Sequence, residues 1–387
     1  MPPSATPQLW DIFCTVIDNY GDIGVCWRLA RQLVDENNLR VRLWVDDLGA
    51  FQRICSVVDP RLEQQNVNGV DVRHWGKAFA EIEPGDVVIE AFACRLPESF
   101  EQGMARQPVK PRWINLDYLS AEAWVSGFHA LPSPHPRLPL TKYFFFPGFN
   151  ETTGGLLRER DLAEIRLSFC TSPEQQADFW QRIGQTSPPS DALLISLFAY
   201  ENPALPDLLE VWAGGQRPVC CLAPVTRTLP AIEAFVGRPL QAGDIVRRGA
   251  LEIRQLPFVS QTDFDRLLWL CDLNFIRGED SFVRAQWAAR PMLWHIYPQE
   301  ENAHLAKLAA FLDLYCANLP ETAAAALRRM MLAWNGDQST TRISPDLWAL
   351  YLSALPDLQK HAVFWEKIRS KQEDLCSSLV RFSRSTL

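Results

Sequence analysis

Strand-like and helix-like segments alternate along the first half of the chain, and this alternation limits the possible fold more than any other feature. Strand-like apolar runs occupy residues 9–17, 41–45, 87–92 and 112–116, and apolar residues with helical spacing form one stripe over residues 25–36. Strands that alternate with helices form parallel sheets joined by crossover helices. The first half therefore predicts a Rossmann-like α/β domain.

The second half repeats this alternation. Its predicted strands are residues 192–199, 219–223, 251–256, 273–276 and 292–296, its predicted helices are residues 204–212, 262–270 and 282–289, and the chain from residue 301 onward is mostly helical. Two Rossmann-like domains that face each other across a cleft form the architecture called GT-B. The periodicity supports two α/β domains, but it does not by itself connect them with sugar transfer.

A proline-rich segment separates the two halves. Residues 128–155 contain prolines at 132, 134, 136, 139 and 147 and end in Gly154-Gly155, a composition that helices and central strands tolerate poorly. We therefore predict a first domain of residues 1–155 and a second domain of residues 156–387. Whether the C-terminal helices pack back on the first domain stays open.

Composition narrows the class of protein. The formal net charge of −8 disfavours nucleic acid as the main partner, because nucleic-acid binders carry a basic field. The N-terminus lacks the pattern of a signal peptide, and no apolar run is long enough to cross a membrane. The ten cysteines form no CxxC pair, which favours a reducing compartment, the cytoplasm by default.

No pattern predicts a metal or another cofactor. The six histidines show no HxxxH or HExxH spacing. Asp263 and Asp265 match the DxD pattern of metal-dependent sugar transferases, but they lie in a predicted helix, where residues two apart do not share a face. We interpret them as a solvated first helical turn.

The first candidate site is the segment Asp18-Asn19-Tyr20-Gly21-Asp22-Ile23-Gly24, between the first strand and the first helix. Ligands of open α/β sheets bind at the carboxyl ends of strands, and glycines allow a substrate to approach the backbone. One carboxylate, of Asp18 or Asp22, could act as a base while the other holds the loop or the partner. The alternative is that either aspartate only caps the following helix.

The second candidate site, Arg277-Gly278-Glu279-Asp280-Ser281, follows a strand and opens a helix. A helix N-terminus binds anions such as a diphosphate, because its N–H groups and dipole point at the ligand. Arg277 adds a bidentate cation, and Asp280 and Ser281 are good N-cap residues. Glu279 repels phosphate, so a sugar or ribose hydroxyl, or the loop backbone, suits it better. The alternative is an ordinary capped helix with a surface ion pair.

Polar and aromatic residues end two further strands of the second half. Phe258 could stack on a pyrimidine, and the Gln255 amide could read its edge, although a phenylalanine at such a position is more often part of the core. Tyr200, after the strand 192–199, could line the same cleft or simply pack.

Two long motifs resemble the family of protein-arginine rhamnosyltransferases that act on elongation factor P. They are the segments Asp18-Asn19-Tyr20-Gly21-Asp22-Ile23-Gly24-Val25-Cys26-Trp27-Arg28-Leu29-Ala30 and Arg277-Gly278-Glu279-Asp280-Ser281-Phe282-Val283-Arg284-Ala285-Gln286-Trp287. The similarity continues through residues 113–120, 142–149, 196–202 and 255–258, so that it covers nearly the whole chain.

The resemblance implies a GT-B fold and metal-independent, inverting transfer of L-rhamnose from dTDP-β-L-rhamnose to an arginine of elongation factor P. The acceptor protein would dock mainly on the N-terminal domain, and the donor would bind in the C-terminal domain. No nucleic acid or membrane partner is implied.

The resemblance also assigns roles to single residues. Asp22 would be the base, and Asp18 and Glu279 would be needed as well. The residues implied around the donor are Tyr20, Gly21, Tyr200, Gln255, Phe258, Arg277, Glu279, Asp280 and Ser281. Two other functions stay open at this point: a GT-B enzyme with a glycan or small-molecule acceptor, and a non-catalytic nucleotide-binding scaffold.

Overall fold

The protein divides into two compact units. This computed structural model describes residues 7–17, 20–76, 79–299, 303–336 and 342–385. The first unit comprises Met1–Arg160 and Ser370–Leu387, and the second comprises Asp161–Arg369. The predicted boundary after residue 155 lies slightly before this division. The packing of the C-terminal helices was left open by the sequence, and the segment Ser370–Leu387 belongs to the first unit.

The first unit is built around one large sheet. Its strands are β1 (Leu9–Cys14), β2 (Arg40–Val45), β3 (Gln64–Val67), β4 (Val70–His74), β5 (Val87–Ala91), β6 (Arg112–Leu116), β7 (Pro132–Pro134) and β8 (Thr141–Phe145). Its helices are α1 (Gly21–Asn37), α2 (Leu48–Ile54), α3 (Glu98–Arg106), α4 (Val125–Phe128) and α14 (Leu375–Arg384). The strand order is β3-β4-β2-β1-β5-β6-β8-β7.

The centre of this sheet is parallel and buried on both faces. β1 pairs in parallel with β2 on one side and with β5 on the other, whereas the edge strands β3 and β7 pair antiparallel. The Phe13 ring of β1 stacks on Trp44 of β2 with 5.4 Å between the ring centroids. Such strands, covered on both faces, form near-continuous apolar runs, which is why the sequence reveals them.

The second unit repeats the architecture with a smaller sheet. Its strands are β9 (Leu193–Leu197), β10 (Val219–Pro224), β11 (Ile245–Arg248), β12 (Leu251–Leu256), β13 (Leu273–Arg277) and β14 (Met292–His295). Its helices are α5 (Leu162–Thr171), α6 (Pro173–Arg182), α7 (Leu205–Ala213), α8 (Leu229–Val236), α9 (Gln261–Leu270), α10 (Asp280–Ala288), α11 (Ala303–Cys316), α12 (Glu321–Trp334) and α13 (Pro345–Arg369). The strand order is β11-β12-β10-β9-β13-β14, in which β11 is antiparallel to its neighbour and the other neighbouring strands are parallel.

The predicted α/β class with two parallel-rich sheets is confirmed. The first helix is longer than predicted, because it begins at Gly21 rather than at residue 25, and the first strand is shorter, because it ends at Cys14. Within the part of the chain that the structure describes, no helix is both long and apolar enough to cross a membrane.

Candidate active site

Asp22 lies where the strand order of the first sheet changes direction. The chain passes from β1 to β2 on one side and reaches β5 on the other side, so the carboxyl ends of β1 and β5 flank a topological switch point. Ligands of open α/β sheets bind at such a point. Asp22 lies in the first turn of α1, immediately after β1.

The Asp22 carboxylate is fully buried and held by groups from two loops. Its Oδ2 accepts the backbone N–H of Ile17 at 2.9 Å, and its Oδ1 lies 3.5 Å from the hydroxyl of Tyr118. The N-cap position of α1 is Tyr20, so Asp22 does not occupy the capping position that the alternative required. Its place in the first turn still stabilises the negative charge through the helix dipole.

Tyr118 is not among the predicted site residues, although it lies in the segment 113–120 that carries part of the resemblance. It follows β6, and its ring stacks on Phe92, which follows β5, with centroids 4.7 Å apart. Phe92 adopts a φ of 55°, a left-handed conformation that is uncommon for a bulky residue. The carboxyl ends of β1, β5 and β6 thus converge on Asp22.

The rest of the first motif is partly described. Tyr20 places its hydroxyl 3.5 Å from Nη1 of Arg53, and Gly21 is the first residue of α1. Asp18, a predicted catalytic residue, lies outside the described residues. The loop before it is fixed by Asp46, which follows β2 and accepts the backbone N–H of Val16 at 2.9 Å.

Arg277 lies at the corresponding point of the second sheet. It ends β13, which pairs with β9 at the switch point of that sheet. Its guanidinium lies over the rings of Phe198 and Tyr200, 4.4 Å and 4.7 Å from their centroids, and Nη1 donates to the carbonyl of Ala199 at 3.4 Å. Both rings follow β9. They hold the guanidinium in one orientation, which suits bidentate binding of an anion.

Helix α10 begins one residue after its N-cap, Glu279. The prediction of Asp280 and Ser281 as N-caps is therefore shifted, since both lie inside the first turn. The Ser281 hydroxyl accepts from the backbone N–H of Arg277 at 3.1 Å and also donates to the carbonyl of Arg277. Asp280 accepts from the Gln261 side chain at 3.2 Å, which joins the starts of α9 and α10. Gly278 makes the preceding turn with a φ of 57°.

Glu279 forms an ion pair with a residue that the sequence patterns did not indicate. Lys307, on α11, places its Nζ 2.9 Å from Oε1 of Glu279. The side chains of Lys307 and Glu279 are only 17% and 13% exposed. The pair is therefore not the surface ion pair of an ordinary capped helix.

The two predicted base-binding residues are placed differently. Phe258 is half-buried after β12, so it is not a fully buried core residue. Gln255 is fully buried, and its Nε2 donates to the Ala223 carbonyl of β10 at 2.8 Å, while its Oε1 has no hydrogen-bond partner among the described residues. The role of Gln255 in reading a base edge stays a prediction.

A neutral histidine lies beside Arg277 and Tyr200. His295, at the end of β14, meets the Tyr200 ring edge-on with centroids 5.3 Å apart. Burial, together with the positive charge of Arg277, lowers the pKa of His295 to about 3. At neutral pH the imidazole therefore adds no charge to the site.

The two aspartates of the DxD pattern are both engaged by arginines. Asp263 pairs with Arg182 and Arg266, whereas Asp265 forms a buried two-point contact with Arg284 of α10 at 3.0 Å and 2.8 Å. The interpretation of both aspartates as a solvated first turn is therefore wrong for Asp265, which packing of α10 against α9 buries. Among the described residues, no group of three His, Cys, Asp or Glu side chains is arranged to hold a metal ion.

The match to a known family covers the two sites together. The family model described as "Elongation-Factor P (EF-P) rhamnosyltransferase EarP" matches residues 10–384. The chain belongs to this family. It is 52% identical, over 98% of its length and 99% of the relative's, to a protein-arginine rhamnosyltransferase of Pseudomonas putida. A protein-arginine rhamnosyltransferase of Shewanella oneidensis is 42% identical over the whole of both chains. This family member is therefore a glycosyltransferase.

Solved structures agree with this assignment. A structure described as "Structural basis for EarP-mediated arginine glycosylation of translation elongation factor EF-P" has a TM-score of 0.69 and 39% identity, covering 98% of this chain and 100% of the other. The spinosyn forosaminyltransferase SpnP shares 11% identity with a TM-score of 0.50, covering 98% and 99% of the two chains, and so shows the fold alone. The fold is that of the GT-B glycosyltransferases.

Proposed function

We propose that this enzyme transfers L-rhamnose from dTDP-β-L-rhamnose to an arginine side chain of EF-P, with inversion and without a metal ion. The observation that carries the proposal is the 52% identity, over nearly the full length, to a protein-arginine rhamnosyltransferase. Since the proposed acceptor is a translation factor, we place the reaction in the cytoplasm.

The second unit would bind the donor. The start of α10 offers N–H groups and the positive end of the helix dipole to a diphosphate, and the clamped Arg277 adds a fixed cation. The half-buried Phe258, which follows β12, is proposed to stack on thymine. We assign Tyr200, Gln255, Glu279, Asp280 and Ser281 to the surroundings of the nucleotide and sugar, and Tyr20 and Gly21 to the sugar side.

The first unit would supply the carboxylate that receives the acceptor. The pKa of a free arginine lies far above 7, so its full deprotonation at pH 7 costs roughly 8–9 kcal/mol. A carboxylate therefore cannot remove this proton in the ground state. Asp22 instead pairs with the guanidinium, orients one nitrogen, and takes its proton as the C–N bond forms. Asp18 is proposed to assist it.

The reaction also requires departure of the donor diphosphate. The guanidinium nitrogen attacks the anomeric carbon on the face opposite the diphosphate, and the electron pair of the breaking C–O bond stays on dTDP. The α10 N–H groups and Arg277 stabilise the charge that develops there. Attack from the opposite face inverts the anomeric centre. Asp263 and Asp265 of the DxD pattern each pair with an arginine, which supports the metal-independent route.

Intact mass of EF-P tests the proposal. After incubation with dTDP-rhamnose and this enzyme, EF-P should gain the mass of one rhamnose, and peptide mapping should place it on an arginine. An EF-P variant with that arginine changed to lysine should gain nothing. Turnover of dTDP-rhamnose on a glycan or small molecule, with no mass gain on EF-P, would refute the acceptor.

A further inference from the structure

We propose that Lys307 is a positioning residue of the donor site, which holds the Glu279 carboxylate and offsets its charge so that a nucleoside diphosphate can bind beside it. The inference rests on the proposed function, in which the start of α10 receives the donor diphosphate. Lys307 lies outside both motifs, and its proposed role follows from the contact between α11 and α10.

The negative charge of Glu279 opposes binding of a diphosphate at the start of α10. It is the N-cap of α10, so its carboxylate lies at the helix end where the diphosphate would bind. Asp280 adds a second carboxylate in the first turn, while Arg277 contributes one cation. Two carboxylates against one arginine leave a net negative charge, which opposes an anionic ligand.

Lys307, on the neighbouring helix α11, offsets this negative charge. Its Nζ lies 2.9 Å from Oε1 of Glu279, and both side chains are more than four-fifths buried. A pair with so little exposure is screened less by salt than a surface pair. With Lys307 included, cations and carboxylates at the start of α10 are balanced, and the helix N–H groups decide the preference for an anion.

Aromatic packing fixes the position of Lys307. Phe311 follows one helical turn later on the same face of α11, and its ring meets Phe282 of α10 edge-on, with centroids 4.8 Å apart. Phe282 in turn stacks on Trp294 at 3.8 Å, so it is held from both sides. Since Phe282 lies one turn after Glu279, the aromatic contact places the ammonium beside the carboxylate.

Calorimetric titration with dTDP tests the inference. Lys307→Met removes the charge but keeps a long unbranched chain, and should weaken dTDP binding by about ten- to a hundredfold, the range for loss of a charge-assisted contact. Lys307→Arg should bind within about threefold of wild type, because it can still pair with the carboxylate. Lys360→Met is the matched control, since Lys360 is 81% exposed and pairs with Asp357 on α13, and its dTDP affinity should equal that of wild type.

A double-mutant cycle separates positioning from simple folding support. If Lys307 acts through Glu279, the loss caused by Lys307→Met should be at least about fivefold smaller in a Glu279→Gln background than in wild type, the coupling that contacting residues show. Equal losses in both backgrounds, or wild-type affinity of Lys307→Met, would overturn the inference. Absence of dTDP binding by the wild-type enzyme would instead overturn the proposed donor.

Discussion

The hydroxyl of Tyr118 lies 3.5 Å from Oδ1 of Asp22, although 96 residues separate the two in sequence. The other carboxylate oxygen accepts the N–H of Ile17. Neutral donors of this kind orient a carboxylate. An oriented carboxylate is what the pairing with an acceptor guanidinium requires.

Asp22→Asn should keep donor binding and lose most of the transfer. The amide preserves shape, but it neither pairs with a guanidinium nor accepts its proton, so we expect kcat to fall by about 10²–10⁴-fold, the usual contribution of a general base. Transfer is measured by intact mass of EF-P, and donor binding by calorimetry with dTDP.

Asp46→Asn is the matched control for this prediction. Asp46 also follows a strand of the first sheet and also accepts a backbone N–H of the loop before Asp22. Its replacement disturbs the loop without removing the proposed base, so its loss of kcat should be much smaller. Near-normal turnover of a folded Asp22→Asn enzyme would remove Asp22 from the role of base.

Phe258→Ala should weaken dTDP binding by about 1–3 kcal/mol, the usual worth of stacking a base on an aromatic ring. Phe235→Ala is the control, because Phe235 is a half-buried phenylalanine of the same unit that lies under Arg248, away from the carboxyl ends of the strands. Calorimetry should show a weakened Phe258 variant and an unchanged Phe235 variant. Equal dTDP affinity of the two variants would make Phe258 a packing residue only.

Arg277→Lys should weaken dTDP binding by about tenfold even though the charge is kept. The guanidinium lies over the rings of Phe198 and Tyr200. A lysine ammonium loses both this flat stacking surface and the two-point contact that we propose with phosphate. Arg277→Met should lose more, because it also removes the charge. Equal affinities of the lysine variant and the wild type would show that charge alone matters at this position.

The sequence predicts the local parts of both sites well. The glycines and carboxylates that follow an apolar strand place the loop before α1 at the carboxyl end of β1. The same reasoning places Arg277 and the start of α10 at the end of β13. These predictions succeed because they need only neighbouring residues, strand periodicity and the fixed direction of crossover helices.

Contacts across long sequence separations were not predictable. Lys307 reaches Glu279 from α11, and α14 returns to the first unit from the far end of the chain. One apolar helical stripe looks like another until the sheet it covers is known. The burial of Gln255 escapes prediction for a similar reason: a polar residue at a strand end looks exposed until the neighbouring strand β10 supplies Ala223 as its partner.

His295→Gln should flatten the pH dependence of stability between pH 7 and pH 5. The folded-state pKa of His295 is lowered to about 3 from an ordinary value of 6.5, mainly by burial and also by Arg277 and His304. Below pH 6.5, His295 therefore binds a proton in the unfolded chain but not in the folded protein. Stability is lost as the pH falls through this window, by about 2 kcal/mol from pH 7 to pH 5 for this one group.

Urea unfolding at pH 5, 6 and 7 measures this effect for wild type and variant. Carboxylates and the other buried histidines contribute to both proteins, so the difference between the two curves isolates His295. A His295→Gln curve that runs parallel to that of wild type would mean that the imidazole takes up its proton in the folded protein, and would contradict a neutral histidine beside Arg277.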